Sequence, residues 1–391
     1  MKYLFILGRN PLLSEAEILS YFEREGIKKL SHKMRLNALL IEVDRELKLK
    51  EMINELGGTV AAGKVILSGS AENVIKEIEI KLIYFGRENK VVYSVLDYCD
   101  EDAFSDVLDA MKKNFRNERL KARYKGVSGT IKLQSGKIVH GSPEKILLRD
   151  MNYFAFESEN QGNKEIYFGY LDASYDSSES EKRDMEKPFR RESLAISPRL
   201  ARILINLSQV KKGENLLDPF CGIGVILGEG MLRGINVTGV DIDASAIADT
   251  RKNMNWFKAN YSGEANFKII NGDSSVIKVE NVDGVATEPS LGELMKNIPQ
   301  RGKAEQIVRE FENLMIDVLN NIMREMKRGA KIAFTSPLIK SQSGRISCNI
   351  ERICDNTGLR VYEIKNSCIK FPIQEYREDS IVGRDIFVLV A

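Results

Sequence analysis

The spacing of hydrophobic and polar positions changes rhythm along the chain. Over residues 1–70 short apolar runs alternate with helical periodicity. Tyr3–Leu7 predicts a strand, Ile18, Leu19 and Phe22 share one face of a helix that Ser14 is placed to cap, and Leu39–Val43 predicts a second strand. Glu51–Leu56 predicts a helix closed by Gly57 and Gly58, and Val65–Ser68 a third strand. A second mixed module is expected over 71–175, with strands at Val91–Leu96, Tyr153–Phe156 and Ile166–Leu171. Its helix, Asp102 to about Asn117, carries Phe104, Val107, Leu108 and Met111 at helical spacing. Residues 176–192 are polar and read as a linker. From 193 to 391 wholly apolar strands alternate with helices, the signature of a mostly parallel sheet covered on both faces. Seven strands are expected: Asn215–Phe220, Asn236–Ile242, Phe267–Asn271, Val282–Thr287, Lys331–Thr335, Leu359–Lys365 and Ile386–Val390. A long amphipathic helix should run from about Ala304 to Arg328.

Composition adds exclusions. A chain of 391 residues with 43% hydrophobic and 29% charged positions is globular, neither a disordered tail nor a fibrous array. Five scattered cysteines, no C-x-x-C and two histidines argue against a zinc or iron–sulfur site. The odd cysteine count and the short apolar run at Tyr3–Leu7 point to a cytoplasmic protein, and no apolar stretch reaches membrane-span length. Cys221 reads as a packing residue rather than a nucleophile.

The net charge of +2 would recruit no polyanion by itself. Its distribution changes that picture. Between Met111 and Lys137 stand nine basic residues against Glu118 alone, a net +8: Lys112, Lys113, Arg116, Arg119, Lys121, Arg123, Lys125, Lys132 and Lys137. Phe115 and Tyr124 are interleaved. Such a run is either a solvated helix face or a patch for a polyanion, and its one-sidedness favours the patch. The charge continues across the linker with Lys182, Arg183, Lys187, Arg190 and Arg191.

The candidate chemistry lies in the C-terminal half. Asp218-Pro219-Phe220-Cys221-Gly222-Ile223-Gly224 follows the first strand and opens a helix, where glycines let a backbone approach a ligand. Gly222 and Gly224 are two of the three glycines of a dinucleotide fingerprint, and Leu227 holds the third place. Asp241, followed by Ile242, ends the second strand, 17 residues after Gly224, where a carboxylate can accept from both hydroxyls of a ribose. Asp273 ends the third strand, in reach of an adenine edge. These features describe a nucleoside-bearing cofactor without a pyrophosphate.

The set Asp218-Pro219-Phe220-x-Gly222-x-Gly224, Gly239-Val240-Asp241-Ile242-Asp243 and Asp273 resembles the S-adenosylmethionine site of class I methyltransferases. The flank from Ser193 to Leu207 and the ending Glu375–Ile386 are similar to THUMP-domain tRNA guanosine-N2 methyltransferases. That resemblance implies a Rossmann-like methyltransferase domain over 193–391, preceded by a ferredoxin-like α+β module over 1–70 and a THUMP-like RNA-binding module over 71–175. It implies that Asp218, Pro219, Phe220 and the Gly222 and Gly224 backbone hold the methionine part of the cofactor, Asp241 the ribose beside Ile242, and Asp273 the adenine amino group, with Ser274 adding a polar contact. It implies tRNA as partner, gripped by Lys112, Lys113, Arg116, Arg119, Lys121, Arg123, Lys125 and Arg190, and methylation of a guanosine near position 10.

After the fourth strand, families that methylate exocyclic amines carry Asp or Asn, then Pro-Pro and an aromatic residue. Here the loop is Thr287-Glu288-Pro289-Ser290-Leu291-Gly292, so Glu288 takes the acceptor position and the Pro289 carbonyl the second. Glu is one methylene longer than Asp, Ser290 removes a proline, and Leu291 offers no ring unless Phe189 or Phe220 supplies one. Arg377 and Arg384 read equally as solvated turn residues or RNA contacts. Two other functions compete with the enzyme: a noncatalytic RNA-binding protein with a degenerate methyltransferase domain, and a DNA amino-methyltransferase. Oligomeric state, mono- versus dimethylation and the need for a small activating protein stay open at this stage.

Overall fold

The computed structural model describes residues 1–127, 129–140, 150–160, 162–190, 196–261, 264–292 and 295–391. Arg191 and the start of the flank, Ser193-Leu194-Ala195, lie outside the described residues. By contact the chain forms two compact units: Met1–Glu15 with Ile27–Asn54 and Gly58–Asp176, and Ala16–Gly26 with Glu55–Gly57 and Ser177–Ala391.

Through residue 176 the order is β1 (Lys2–Leu7), α1 (Pro11–Glu25), β2 (Lys29–Arg35), β3 (Ala38–Val43), α2 (Leu49–Glu55), β4 (Thr59–Ser70), α3 (Ala71–Ile80), β5 (Lys90–Tyr98), α4 (Glu101–Asn117), β6 (Lys121–Tyr124), β7 (Thr130–Lys132), β8 (Ile138–His140), β9 (Asp150–Asn160) and β10 (Asn163–Ser174). Eight of these strands form one sheet in the order β2-β3-β1-β4-β10-β9-β5-β6, and β7 pairs with β8. The first four strands, with α1 and α2 between them, have the ferredoxin-like arrangement. The division expected near residue 70 falls at the end of β4, which pairs with β1 on one side and β10 on the other, so a single sheet spans both expected modules. Asn10, rather than Ser14, caps α1, its side-chain oxygen accepting from Leu13 N at 3.2 Å. Pro11 presets the backbone for the first helical position, which shifts the start four residues back. Ser14 lies inside the helix and donates to the Asn10 and Gly58 carbonyls, each at 2.9 Å.

The second part of the chain runs α5 (Ser177–Glu186), α6 (Pro198–Ser208), β11 (Asn215–Asp218), α7 (Val225–Met231), β12 (Asn236–Asp241), α8 (Ala244–Asn260), β13 (Phe267–Asn271), β14 (Val282–Thr287), α9 (Arg301–Ile322), β15 (Met326–Ser341), β16 (Gly344–Ile346), α10 (Ile350–Thr357), β17 (Arg360–Val361), β18 (Ile373–Glu375) and β19 (Val382–Val390). The sheet order is β13-β12-β11-β14-β15-β19-β17, with β16 paired to β15 and β18 to β19. The five strands from β13 to β15 are parallel and β19 is antiparallel. Each of the seven expected segments overlaps a strand of this path, the expected Leu359–Lys365 only at the two-residue β17, and β16 and β18 are short additions where β15 and β19 outrun their neighbours. The expected helix to Arg328 stops at Ile322, and β15 begins at Met326. The core lies between the sheet and α9, with Val308, Met315, Val318 and Leu319 packed against Val285, Ile332 and Phe387. Such a sheet reverses its winding between β11 and β14, and ligands bind beyond the carboxyl ends of the strands at that switch point.

Candidate cofactor and active site

Asp218 closes β11 at the switch point. Its side chain is 2% exposed, and Oδ1 accepts from Phe220 N at 3.1 Å and from Thr287 Oγ1 at 2.6 Å. Burial pushes its carboxyl up to about 7 against the lowering effect of the Thr287 and Phe220 hydrogen bonds, with Asp241 and Glu288 adding to the rise. The loop beyond it needs its glycines. Gly222 and Gly224 take φ of +50° and +83°, a region that side chains other than glycine rarely adopt, and at Gly222 a Cβ would point into open space. Gly224 has a second constraint, because a Cβ there would lie 3.0 Å from Met254 and Thr250 on α8.

Asp241 ends β12 beside this loop. Oδ2 accepts from Gly222 N at 2.8 Å and Oδ1 from Asp243 N at 2.9 Å, so the carboxylate is fixed in orientation and each oxygen keeps a further lone pair for a sugar hydroxyl. Ile242 next to it is 74% exposed, and Val276 beyond β13 is 76% exposed. Exposed apolar side chains next to strand-end carboxylates suit the faces of a planar base. Asp273 ends the β13 turn at the surface, where Oδ1 accepts from the Ser275 backbone and hydroxyl and these bonds lower its carboxyl below the usual range. An open glycine loop, a carboxylate fixed in orientation, an exposed carboxylate and two uncovered apolar side chains fit a nucleoside-bearing cofactor.

Ser274, Phe220 and Phe189 each have a structural partner. Ser274 is buried and donates to the Pro219 carbonyl at 2.6 Å, tying the β13 turn to the β11 loop. Asn321 on α9 secures the same turn through the Ser274 and Ile277 carbonyls. Phe220 is half-buried and packs on the core, and Phe189 is held from α8, where Asn253 bonds its N–H and carbonyl and Lys252 Nζ sits 4.4 Å from its ring.

Glu288 follows β14, one residue after Thr287. The hydrogen bond from Thr287 to Asp218 therefore ties the Glu288-Pro289 loop to the loop that follows β11. Pro289 is buried, and Gly292 takes φ +100°. Glu288 is not a free carboxylate: Arg384 on β19 donates Nε to Oε2 and Nη2 to Oε1, both at 2.9 Å. Thr287, Asn253 and Arg384 hold these loops, Arg384 through an ion pair with Glu288 in place of the solvated turn or RNA contact expected for it. Thr287 has a local signal, adjacency to Glu288, whereas the other two act across long sequence separations.

The basic residues fall on two units. Lys112, Lys113 and Arg116 occupy the end of α4, Arg119 its closing turn, Lys121 and Arg123 the edge strand β6, and Lys125 the loop after it, all exposed. Lys112 pairs with Asp109 and Lys113 with Glu79, which mutes two of these charges. Arg190 belongs to the other unit and pairs with Asp184 at 3.4 Å. Among the described residues there is no acidic, histidine or cysteine cluster able to hold a metal and no helix long and apolar enough to cross a membrane.

This strand order and this loop constellation define a class I methyltransferase domain, a class whose methyl donor is S-adenosylmethionine. Residues 187–341 match the family described as UPF0020, RMKL-like methyltransferase domain. The tRNA (guanine(10)-N2)-dimethyltransferase of Methanothermobacter thermautotrophicus is 35% identical over 144 residues, 37% of this chain and 39% of that protein. A probable tRNA (guanine(10)-N2)-dimethyltransferase of Methanothermococcus thermolithotrophicus is 38% identical over 120 residues, 30% of this chain and 70% of that protein. TrmN from Thermus thermophilus shares the fold with a TM-score of 0.50 at 14% identity, over 100% of this chain and 99% of that one. The chain belongs to the tRNA (guanine-N2)-methyltransferase family. The matched stretch spans 39% of the first relative's length and 70% of the second's.

Proposed function

We propose that this protein transfers a methyl group from S-adenosylmethionine to the exocyclic N2 of a guanosine in tRNA, at position 10 as in the names of its relatives. The observation that carries the reading is the Thr287–Asp218 hydrogen bond of 2.6 Å, which sets the Glu288-Pro289 loop beside the cofactor loop at the switch point. When bound, S-adenosylmethionine supplies an electrophilic methyl group. The chain must then make a poor nucleophile better, because the lone pair of the guanine amino group is delocalised into the ring. Glu288 and the Pro289 carbonyl accept its two hydrogens, return density to nitrogen and hold it in line for attack. The first unit, Met1–Glu15 with Ile27–Asn54 and Gly58–Asp176, is the RNA grip, a THUMP-like module over 71–175 with the basic end of α4 and β6 meeting phosphates.

The test is Glu288→Ala with labelled cofactor and tRNA. Methyl transfer should be abolished while cofactor affinity stays within a few-fold. Full activity in this variant would move the acceptor elsewhere, and retention of tRNA without label by the unaltered protein would make it a binder.

A further inference from the structure

The acceptor position holds a glutamate, one rotatable bond longer than aspartate, at a site where a misplacement of about 1 Å costs on the order of 100-fold in rate. The structure supplies a device that removes this freedom. Arg384 reaches Glu288 from β19, 96 residues later in the chain, with a two-pronged fork of 2.9 Å and 2.9 Å. The pair is largely shielded, with side chains 32% and 11% exposed. Arg384 is itself anchored in register, opposite Pro337 on β15 and Glu375 on β18, so its backbone sits between two strands and its charge faces two carboxylates.

We infer that Arg384 is a positioning residue for the methyl-transfer site, fixing the plane of the Glu288 carboxylate for the amino group of the substrate base. This rests on the reading of Glu288 as the hydrogen acceptor. A carboxylate offers about four lone-pair sites, and the guanidinium occupies one on each oxygen. The remaining lone pair of each oxygen stays available in a direction the fork defines. A lysine cannot replace this geometry, since its ammonium is a point charge without a planar fork. The longer side chain then functions because its extra rotor is clamped.

The experiment compares Arg384→Ala, Arg384→Lys and Glu288→Ala in steady-state methyl transfer to tRNA, with and without millimolar guanidinium. Arg384→Ala should lower kcat by about 100-fold while KM for tRNA and cofactor affinity hold within about two-fold. Added guanidinium should restore a large part of the rate to Arg384→Ala and none to Glu288→Ala. Arg384→Lys should keep the fold and the affinities and still lose kcat, which carries the test if the alanine variant does not fold. Wild-type kcat in either Arg384 variant, or an Arg384→Ala loss that guanidinium leaves unchanged, overturns the inference. A fully active Glu288→Ala would instead overturn the acceptor reading itself, whereas an inactive Glu288→Ala beside an active Arg384→Ala defeats the positioning role alone.

Discussion

Asp218 is a buried carboxyl at the place where the family resemblance puts the amino-acid part of the cofactor. Its carboxyl, held up near 7 mainly by burial, is largely protonated in mildly acidic solution. A bound ammonium group favours the ionised form, so binding below that value must expel a proton. Affinity for S-adenosylmethionine should therefore fall as pH drops through about 7, by at most about tenfold per pH unit, and this slope should vanish in Asp218→Asn. Calorimetric titrations from mildly acidic to mildly basic pH measure it, and an equal slope in both proteins contradicts the assignment. Adjacency made Asp218, Asp241 and Glu288 recognisable in the sequence, because each follows an apolar strand directly. Arg384 was not recognisable as the partner of Glu288, since only the sheet order β14-β15-β19 brings residues 96 apart together.

At the scale of elements, burial decided what could be read. β11, β12 and β14 are largely buried, and their apolar runs predict their bounds to within two residues. The edge strand β13 still shows an apolar run and matches its expected bounds, whereas polar edge strands carry no such signal. β2 (Lys-Leu-Ser-His-Lys-Met-Arg) and β6 (Lys-Ala-Arg-Tyr) are polar, as strands with an unpaired side tend to be, and neither was predicted. The structure turns the basic run into geometry: Lys121 and Arg123 alternate along an exposed strand that pairs, among the described residues, with β5 alone, and Arg116, Arg119 and Lys125 flank it in solvent. If this edge meets phosphates, Lys121→Glu with Arg123→Glu should weaken tRNA binding without changing cofactor affinity. The salt dependence of binding should flatten by roughly 0.7–0.9 in log–log slope for each lost contact. An unchanged slope would assign these charges to solvation.

For the whole molecule, the sequence pattern divides the chain linearly, and the folded units do not follow that division. The unit that holds the methyltransferase sheet includes Ala16–Gly26 and Glu55–Gly57. There Asn206 on α6 donates to Glu17 at 2.7 Å and accepts from Arg24 at 3.1 Å and Arg233 at 2.9 Å, while Arg24 also pairs with Glu55. A cut at residue 193 would strip partners from buried charges, and stranding such a group costs about 3–5 kcal/mol. This is why the full chain is the object to assay. The central claim, methyl transfer to guanine N2, is tested most directly by mass spectrometry of nucleosides from unmodified tRNA incubated with the 391-residue chain and S-adenosylmethionine. The account predicts N2-methylated guanosine, confined to position 10 when fragments are mapped and absent with Glu288→Ala. Methylation of adenosine, cytidine or another atom of guanosine, or none at all, would contradict it.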